Sequence, residues 1–295
     1  MDLPRHNKVR SVPAGRRAFT LVELLVVVAI VVVLFGVRLP ALAAGKTRSK
    51  SAQCMNNARQ LSLAWLMYAA DNHDYFLSSS GAATGFAGNN YSWALSTMNF
   101  DPNNRANYDP AVDIMQRPMW NYNRNADIYR CPADPSTVTV NGTAIPRTRS
   151  YSMNWFLGGF AGNPGSGSPW GPNFPYYTKL TDFADPVRSP GPAGTFLFIE
   201  ERFDLINLGN FATDMTGYPQ AGKPAAPATY VWLDMPAFYH SFASVISFVD
   251  GHVDIHRWQG DAADTLPAGA INGATFPAPN SADVAWMQNV SARPH

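Results

Sequence analysis

The chain has 295 residues, of which 46% are hydrophobic and 15% charged, and its net charge at pH 7 is +1. That length holds one large domain or two small ones with ample apolar residues for a core. Arg5, Lys8, Arg10, Arg16 and Arg17 against Asp2 make residues 1–18 basic and leave the remainder weakly acidic, which excludes an electrostatic footprint for nucleic acid, while 22 Gly and 24 Pro argue against a helical bundle.

Residues 1–18 read as a basic leader that sets topology. From Phe19 to Val37 the nineteen residues carry one charge, Glu23. A helix of that length extends roughly 28 Å, close to a hydrocarbon core of about 30 Å, so residues 19–38 are predicted to form a transmembrane helix. A carboxylate inside a bilayer costs about 2.5–3.5 kcal/mol and needs a partner. Cutting the chain between Ala18 and Phe19 would place a new α-ammonium one helical turn from Glu23, and a neighbouring subunit could present its own. The alternative is an ordinary secretory signal, with Ala41-Leu-Ala43 as its small-x-small cleavage pattern and a mature N-terminus near Ala44. Glu23 and a run longer than the usual signal core of about 7–15 residues argue against it. Arg38, Lys46, Arg48 and Lys50 balance the leader, so charge does not orient the helix.

Residues 39–74 are predicted to continue as an amphipathic stalk helix. Cys54, Ala58, Leu61, Trp65 and Tyr68 recur at spacings of 4, 3, 4 and 3, which lines them along one face. That face suits core packing, and the polar cluster Asp71-Asn-His-Asp74 suits a stop.

Residues 75–295 are predicted to form a globular head of short strands. The candidates are Asp127–Arg130, Arg149–Met153, Thr195–Ile199, Tyr230–Leu233, Ser244–Val249 and His252–Trp258. Segments 79–90, 158–175 and 209–229 read as loops, and the Ala/Gly/Pro-rich tail 260–295 receives no element. Asp250-Gly251 between two apolar runs predicts a hairpin with a two-residue type I′ turn. The two cysteines, Cys54 and Cys131, suffice for one disulfide if the body lies outside the cytoplasm, with two buried thiols as the alternative.

No convincing catalytic set emerges: there is no G-x-S-x-G elbow, phosphate-binding loop or H-E-x-x-H. Glu200 and Glu201 are adjacent, so on a strand they would face opposite sides. An enzyme is therefore not expected. His252, Asp254 and His256 share a strand face, but the outer two lie about 13 Å apart, too far to share zinc. Asp101-Pro-Asn-Asn-Arg-Ala-Asn107, Asp109 and Asp113 offer oxygen ligands, yet lack the Gly and Glu of a calcium loop. The metal assignment is left open and no cofactor is expected, calcium being the one ion these oxygens suit.

Two stretches carry a resemblance to known families. Arg16-Arg-Ala-Phe-Thr-Leu-Val-Glu-Leu-Leu25 resembles the leader of type IV pilins and type II secretion pseudopilins. The resemblance implies that a prepilin peptidase cuts between Ala18 and Phe19 and methylates the Phe19 amine, and that Glu23 guides assembly. Ala18 stands where that family usually has Gly. Pro40 falls where members often weaken the helix. Independently, His240 followed nine residues later by Asp250-Gly251 resembles the H-X9-DG segment that closes a large family of pilin-like envelope proteins. Cys54, Asn57, Gln60, Tyr68 and Asp71, then Cys131-Pro-Ala-Asp134 and Ser150-Tyr-Ser-Met-Asn154, resemble its other landmarks.

Together these imply an α+β, pilin-like fold: a long N-terminal helix, half transmembrane and half amphipathic, on a strand-rich head with the H-X9-DG hairpin at 240–258. The implied function is a structural subunit of a type II secretion-like or type IV pilus-like filament. The implied partners are other pilin-like subunits, the prepilin peptidase and the inner-membrane assembly machinery. The implied location is the inner membrane, crossed once, with the head in the periplasm or at the cell surface. His240 is expected to bond Asp250 or a loop carbonyl and so fix the final hairpin. The competing expectation is an anchored module whose aromatic head binds a glycan or another envelope ligand.

Overall fold

The computed structural model describes residues 20–79, 91–159, 173–174, 176–260 and 275–294; the side chains of 33–44 are outside that set. The leader, Ala18 and Phe19 also lie outside it, as do most of the loops expected at 79–90 and 158–175. The chain forms two compact units, residues 1–46 and 47–295.

Helix α1 runs Leu21–Asp71. Among the described residues no helix is long and apolar enough to cross a membrane. The described side chains of the expected span stop at Val32, and within them Leu21, Val22, Leu24–Val28 and Ile30–Val32 are all exposed. Farther along, Cys54, Ala58, Leu61, Trp65 and Tyr68 are buried, as their spacing predicts, while Leu63 and Met67 between them stay exposed. The helix stops at Asp71, where Asn72 caps the Tyr68 carbonyl (2.7 Å) and His73 and Asp74 adopt positive φ.

The head adds α2 (Trp120–Asn123) and the hairpin β1 (Thr137–Val140) and β2 (Thr143–Pro146). Strands β3 (Tyr151–Asn154), β4 (Phe196–Glu200), β5 (Asn210–Phe211), β6 (Val231–Trp232), β7 (Ala243–Phe248), β8 (Val253–Arg257) and β9 (Phe276–Pro277) follow, then α3 (Ala282–Ser291). The main sheet has the order β5-β3-β4-β7-β8; only the β3–β5 pair is parallel. β6 and β9 form a separate antiparallel pair.

The stripe of α1 packs with Tyr151, Met153, Phe198 and Val245 into one core cluster. Phe196, Ile199, Ile246 and Phe248 form a second with Val284 and Met287 of α3. The division follows the pleat, with one exception. β4 pairs Phe196 with Phe248 but Ile199 with Ile246, a one-residue register shift. This bulge puts Phe196 and Ile199 on one face despite their odd spacing, and turns Phe198 and Glu200 toward α1.

Four expectations about elements are corrected. The segment 209–229, expected as a loop, opens with β5, which joins the main sheet because Asn210 and Phe211 pair with Met153 and Asn154. Ala126–Tyr129 is a 3-10 turn, not a strand, because the Asn125 side chain accepts from the Asp127 N–H (3.0 Å) and starts a helical turn. The tail holds α3, which Ser281 caps by accepting from the Val284 N–H (3.2 Å). The β7–β8 turn has three residues, Val249–Gly251, not two. Gly251 N–H donates to Phe248 O (2.9 Å), Phe248 N–H donates to His252 O (3.0 Å), and of the Asp-Gly pair only Gly251 has positive φ (89°). That is a type I turn closed by a left-handed glycine.

Candidate functional site

At the start of α1, Thr20 and Glu23 close a capping box. The Thr20 N–H and hydroxyl donate to Glu23 Oε2 (both 2.9 Å), and the Glu23 N–H donates to Thr20 Oγ1 (3.2 Å). The carboxylate thus sits over unpaired amides at the positive end of the helix dipole. T-x-x-E before an apolar run is a readable signal that the sequence reasoning passed over. Glu23 is exposed and lies three residues from the first described position.

The buried landmarks converge at the other end of the stalk. Cys54 of α1 and Cys131 are joined by a disulfide across 77 residues of sequence. The Cys131 loop is held by Ser150, whose oxygen accepts from the Cys131 N–H (3.1 Å) while its hydroxyl donates to Asp134 (2.6 Å). Asn57 donates to the Arg130 carbonyl (3.0 Å), and the Tyr151 hydroxyl to the Cys54 carbonyl (3.0 Å). Burial pushes the Tyr151 phenol well up.

His240 enters this cluster from the turn before β7. Ser241 and Phe242 carry positive φ (57° and 61°), the pair of conformations a type I′ turn uses, and His240 N–H donates to Ala243 O (3.2 Å). The imidazole Nδ1 meets Ser51 Oγ at 2.9 Å, while Nε2 meets Glu200 Oε1 at 3.1 Å and Cys131 Sγ at 3.5 Å. Glu200 Oε2 accepts from the Val245 N–H (2.8 Å). Burial pushes the Glu200 carboxyl up, and the His240 contact and the Val245 amide pull it back.

His240 therefore does not bond Asp250, which instead accepts from the His252 backbone (3.0 Å) and ring (2.6 Å). Glu200 was invisible as its partner, because forty residues separate them.

Glu201 faces away from Glu200, into a second buried polar set with Asp234, Arg147 and Arg149. Burial raises Asp234 to about 7 against the pull of the Ala212 N–H (2.6 Å). Burial also lowers Arg149 to about 10.

The other candidate carboxylates accept hydrogen bonds, and the two candidate histidines are stacked on aromatic rings, His256 Nε2 making no hydrogen bond among the described residues. His252 stacks on Phe248 (centroids 4.2 Å) and His256 on Trp286 (3.6 Å). Asp113 accepts from the Leu95 and Ser96 amides and pairs with Arg117 (3.3 Å), and Asp101 and Asp109 accept from turn amides. On the surface, Tyr68, Tyr75 and Tyr91 with Asp71 and His73 line a hollow of about 360 Å³.

No curated protein and no solved structure matches the chain. Residues 13–37 match the family model of the prokaryotic N-terminal methylation motif, and that match supports a pilin-type subunit processed by a prepilin peptidase.

Proposed function

We propose that this chain is a pilin- or pseudopilin-like subunit, cut between Ala18 and Phe19, methylated on Phe19, and assembled through Glu23 into a type II secretion-like or type IV pilus-like filament. The observation that carries the reading is the methylation-motif match over residues 13–37, which takes in an apolar helix start whose described side chains are exposed and carry one carboxylate. A helix apolar all round needs a lipid or protein environment. Residues 19–38 supply it as a single inner-membrane span, residues 39–74 form the stalk, and residues 75–295 form the head in the periplasm or at the cell surface. The assembly machinery and other pilin-like subunits are its partners.

Inside such a bundle Glu23 exchanges its Thr20 contacts for the ammonium of a neighbour, which offsets the cost of its burial. The meeting of Cys54, Cys131, Asp134, Ser150 and His240 in one buried network supports the H-X9-DG resemblance, because spacing alone gives those landmarks no reason to touch.

N-terminal sequencing with mass analysis of the membrane-extracted protein should find N-methylated Phe19 as the first residue. A start near Ala44, or a retained leader, rules the reading out. Glu23→Ala should abolish incorporation into filaments while leaving the head folded.

The tyrosine-lined hollow favours a second reading, an anchored module that stacks a sugar ring. Under it, Tyr75→Ala with Tyr91→Ala would abolish glycan-array binding, and Glu23→Ala would leave that binding intact.

A further inference from the structure

Four side chains from four separate segments close on one point inside the head: Cys54 of α1, Cys131 of its loop, Glu200 of β4 and His240 of the turn before β7. One ligand atom from each lies within 4.8 Å of all the others. All four residues are buried, three at 0% exposure and His240 at 6%. Sulfur, imidazole nitrogen and carboxylate oxygen are the donors that a four-coordinate zinc site uses.

The imidazole is aimed from behind. The Ser51 hydroxyl lies 3.0 Å from the Thr47 carbonyl, which can only accept, and 2.9 Å from His240 Nδ1. Both contacts are hydrogen bonds only if Ser51 donates to Thr47 and accepts the Nδ1 proton. Nε2 then carries its lone pair toward Glu200 Oε1 at 3.1 Å and Cys131 Sγ at 3.5 Å. Two acceptors facing each other at that distance need a cation between them. While the disulfide is closed a proton can fill that place. Once it is open, two further donors turn the place into a metal site.

We propose that the reduced chain binds one zinc-class divalent cation through Cys54, Cys131, Glu200 and His240, and that the disulfide and the metal exclude each other. The step balances with an external dithiol as reductant. Its thiolate attacks one cysteine sulfur, the Cys54–Cys131 bond breaks, and its second thiol displaces the mixed disulfide. The dithiol leaves as its intramolecular, cyclic disulfide, having supplied two electrons and two protons. Metal binding then expels the two thiol protons and the proton between His240 and Glu200. Exchange of the two thiolates with the oxidised dithiol, whose disulfide takes the two electrons back, reverses this and expels the metal. Glu200 and His240 are preset by the sheet and by Ser51, so opening the bond needs only the two sulfurs to separate. The inference is independent of the filament reading.

The test uses the full chain in detergent, freed of metal, either disulfide-closed or reduced with dithiothreitol that is then removed under anaerobic conditions. Titration with zinc should give one bound ion per reduced chain and none per disulfide-closed chain. Cobalt(II) in its place should show thiolate-to-metal charge transfer and the visible bands of a tetrahedral ion, and diamide should release it. Ser51→Ala, which leaves all four ligands in place, should weaken binding about 10–100-fold. If reduction unfolds the chain, recovery of its circular dichroism on adding zinc supports the site. Absence of binding by a folded reduced chain, equal binding by the oxidised chain, cobalt bound without a thiolate band, or a reduced chain that stays unfolded with zinc would each overturn it.

Discussion

Glu201 and Asp234 are carboxyls in a place that disfavours their charge. Both are buried; burial raises Asp234 to about 7 and, with the nearby Asp234 charge, pushes Glu201 well above its usual range against the pull of Arg149 and Arg147. The folded chain therefore holds protons that the unfolded chain, with an ordinary Asp near 3.8, has already released. The stability this provides is complete below the ordinary carboxylate range and is lost as pH rises through about 7. Thermal melts should show a higher Tm near about pH 5 than near about pH 8, reflecting a difference in unfolding free energy on the order of a few kcal/mol. Asp234→Asn, which keeps a neutral acceptor for the Ala212 amide, should flatten that profile; an unchanged slope would mean that other groups set it. At this scale the sequence was a poor guide. Glu200-Glu201 could be seen to face opposite ways, but nothing in the residues announced that both would be buried.

The stalk helix makes its own comparison between elements of equal composition. Leu61 is fully buried and Leu63, two residues on, is half exposed. Leu61→Ala should cost about 2–5 kcal/mol in urea unfolding, and Leu63→Ala should stay within about 0.5 kcal/mol of the parent. Equal losses would mean that the helix packs by another face. This stripe was legible because helical periodicity is a local property, and the strands around Met153, Phe198 and Ile246 were legible because their apolar runs are local too. The 3-10 turn at Ala126–Tyr129 was not, since apolar residues between polar ones suit a strand equally and only the Asn125 cap decides. The candidate site was legible in part. Cys54, Cys131 and His240 could each be singled out, but their meeting with Glu200 and Ser51 is made by tertiary contacts that no spacing records.

For the whole molecule, the disulfide ties the stalk helix to the head across 77 residues. In the chain-entropy account a closed loop of that size is worth about 4 kcal/mol to the folded state. The double variant Cys54→Ala with Cys131→Ala should therefore lower the urea midpoint and steepen the slope, since the uncrosslinked denatured chain exposes more surface, and a midpoint within error of the parent would show that core packing alone sets the tie. How the tie acquired its polar neighbours goes back to the extra residue in β4. Counting outward from Phe196 in a regular strand, Glu201 would point at the helix and Glu200 at α3; the shift before Ile199 swaps them. A single additional amino acid, adding no functional group of its own, thus selects which of two identical acids confronts the imidazole and the sulfurs, and which is left among the arginines.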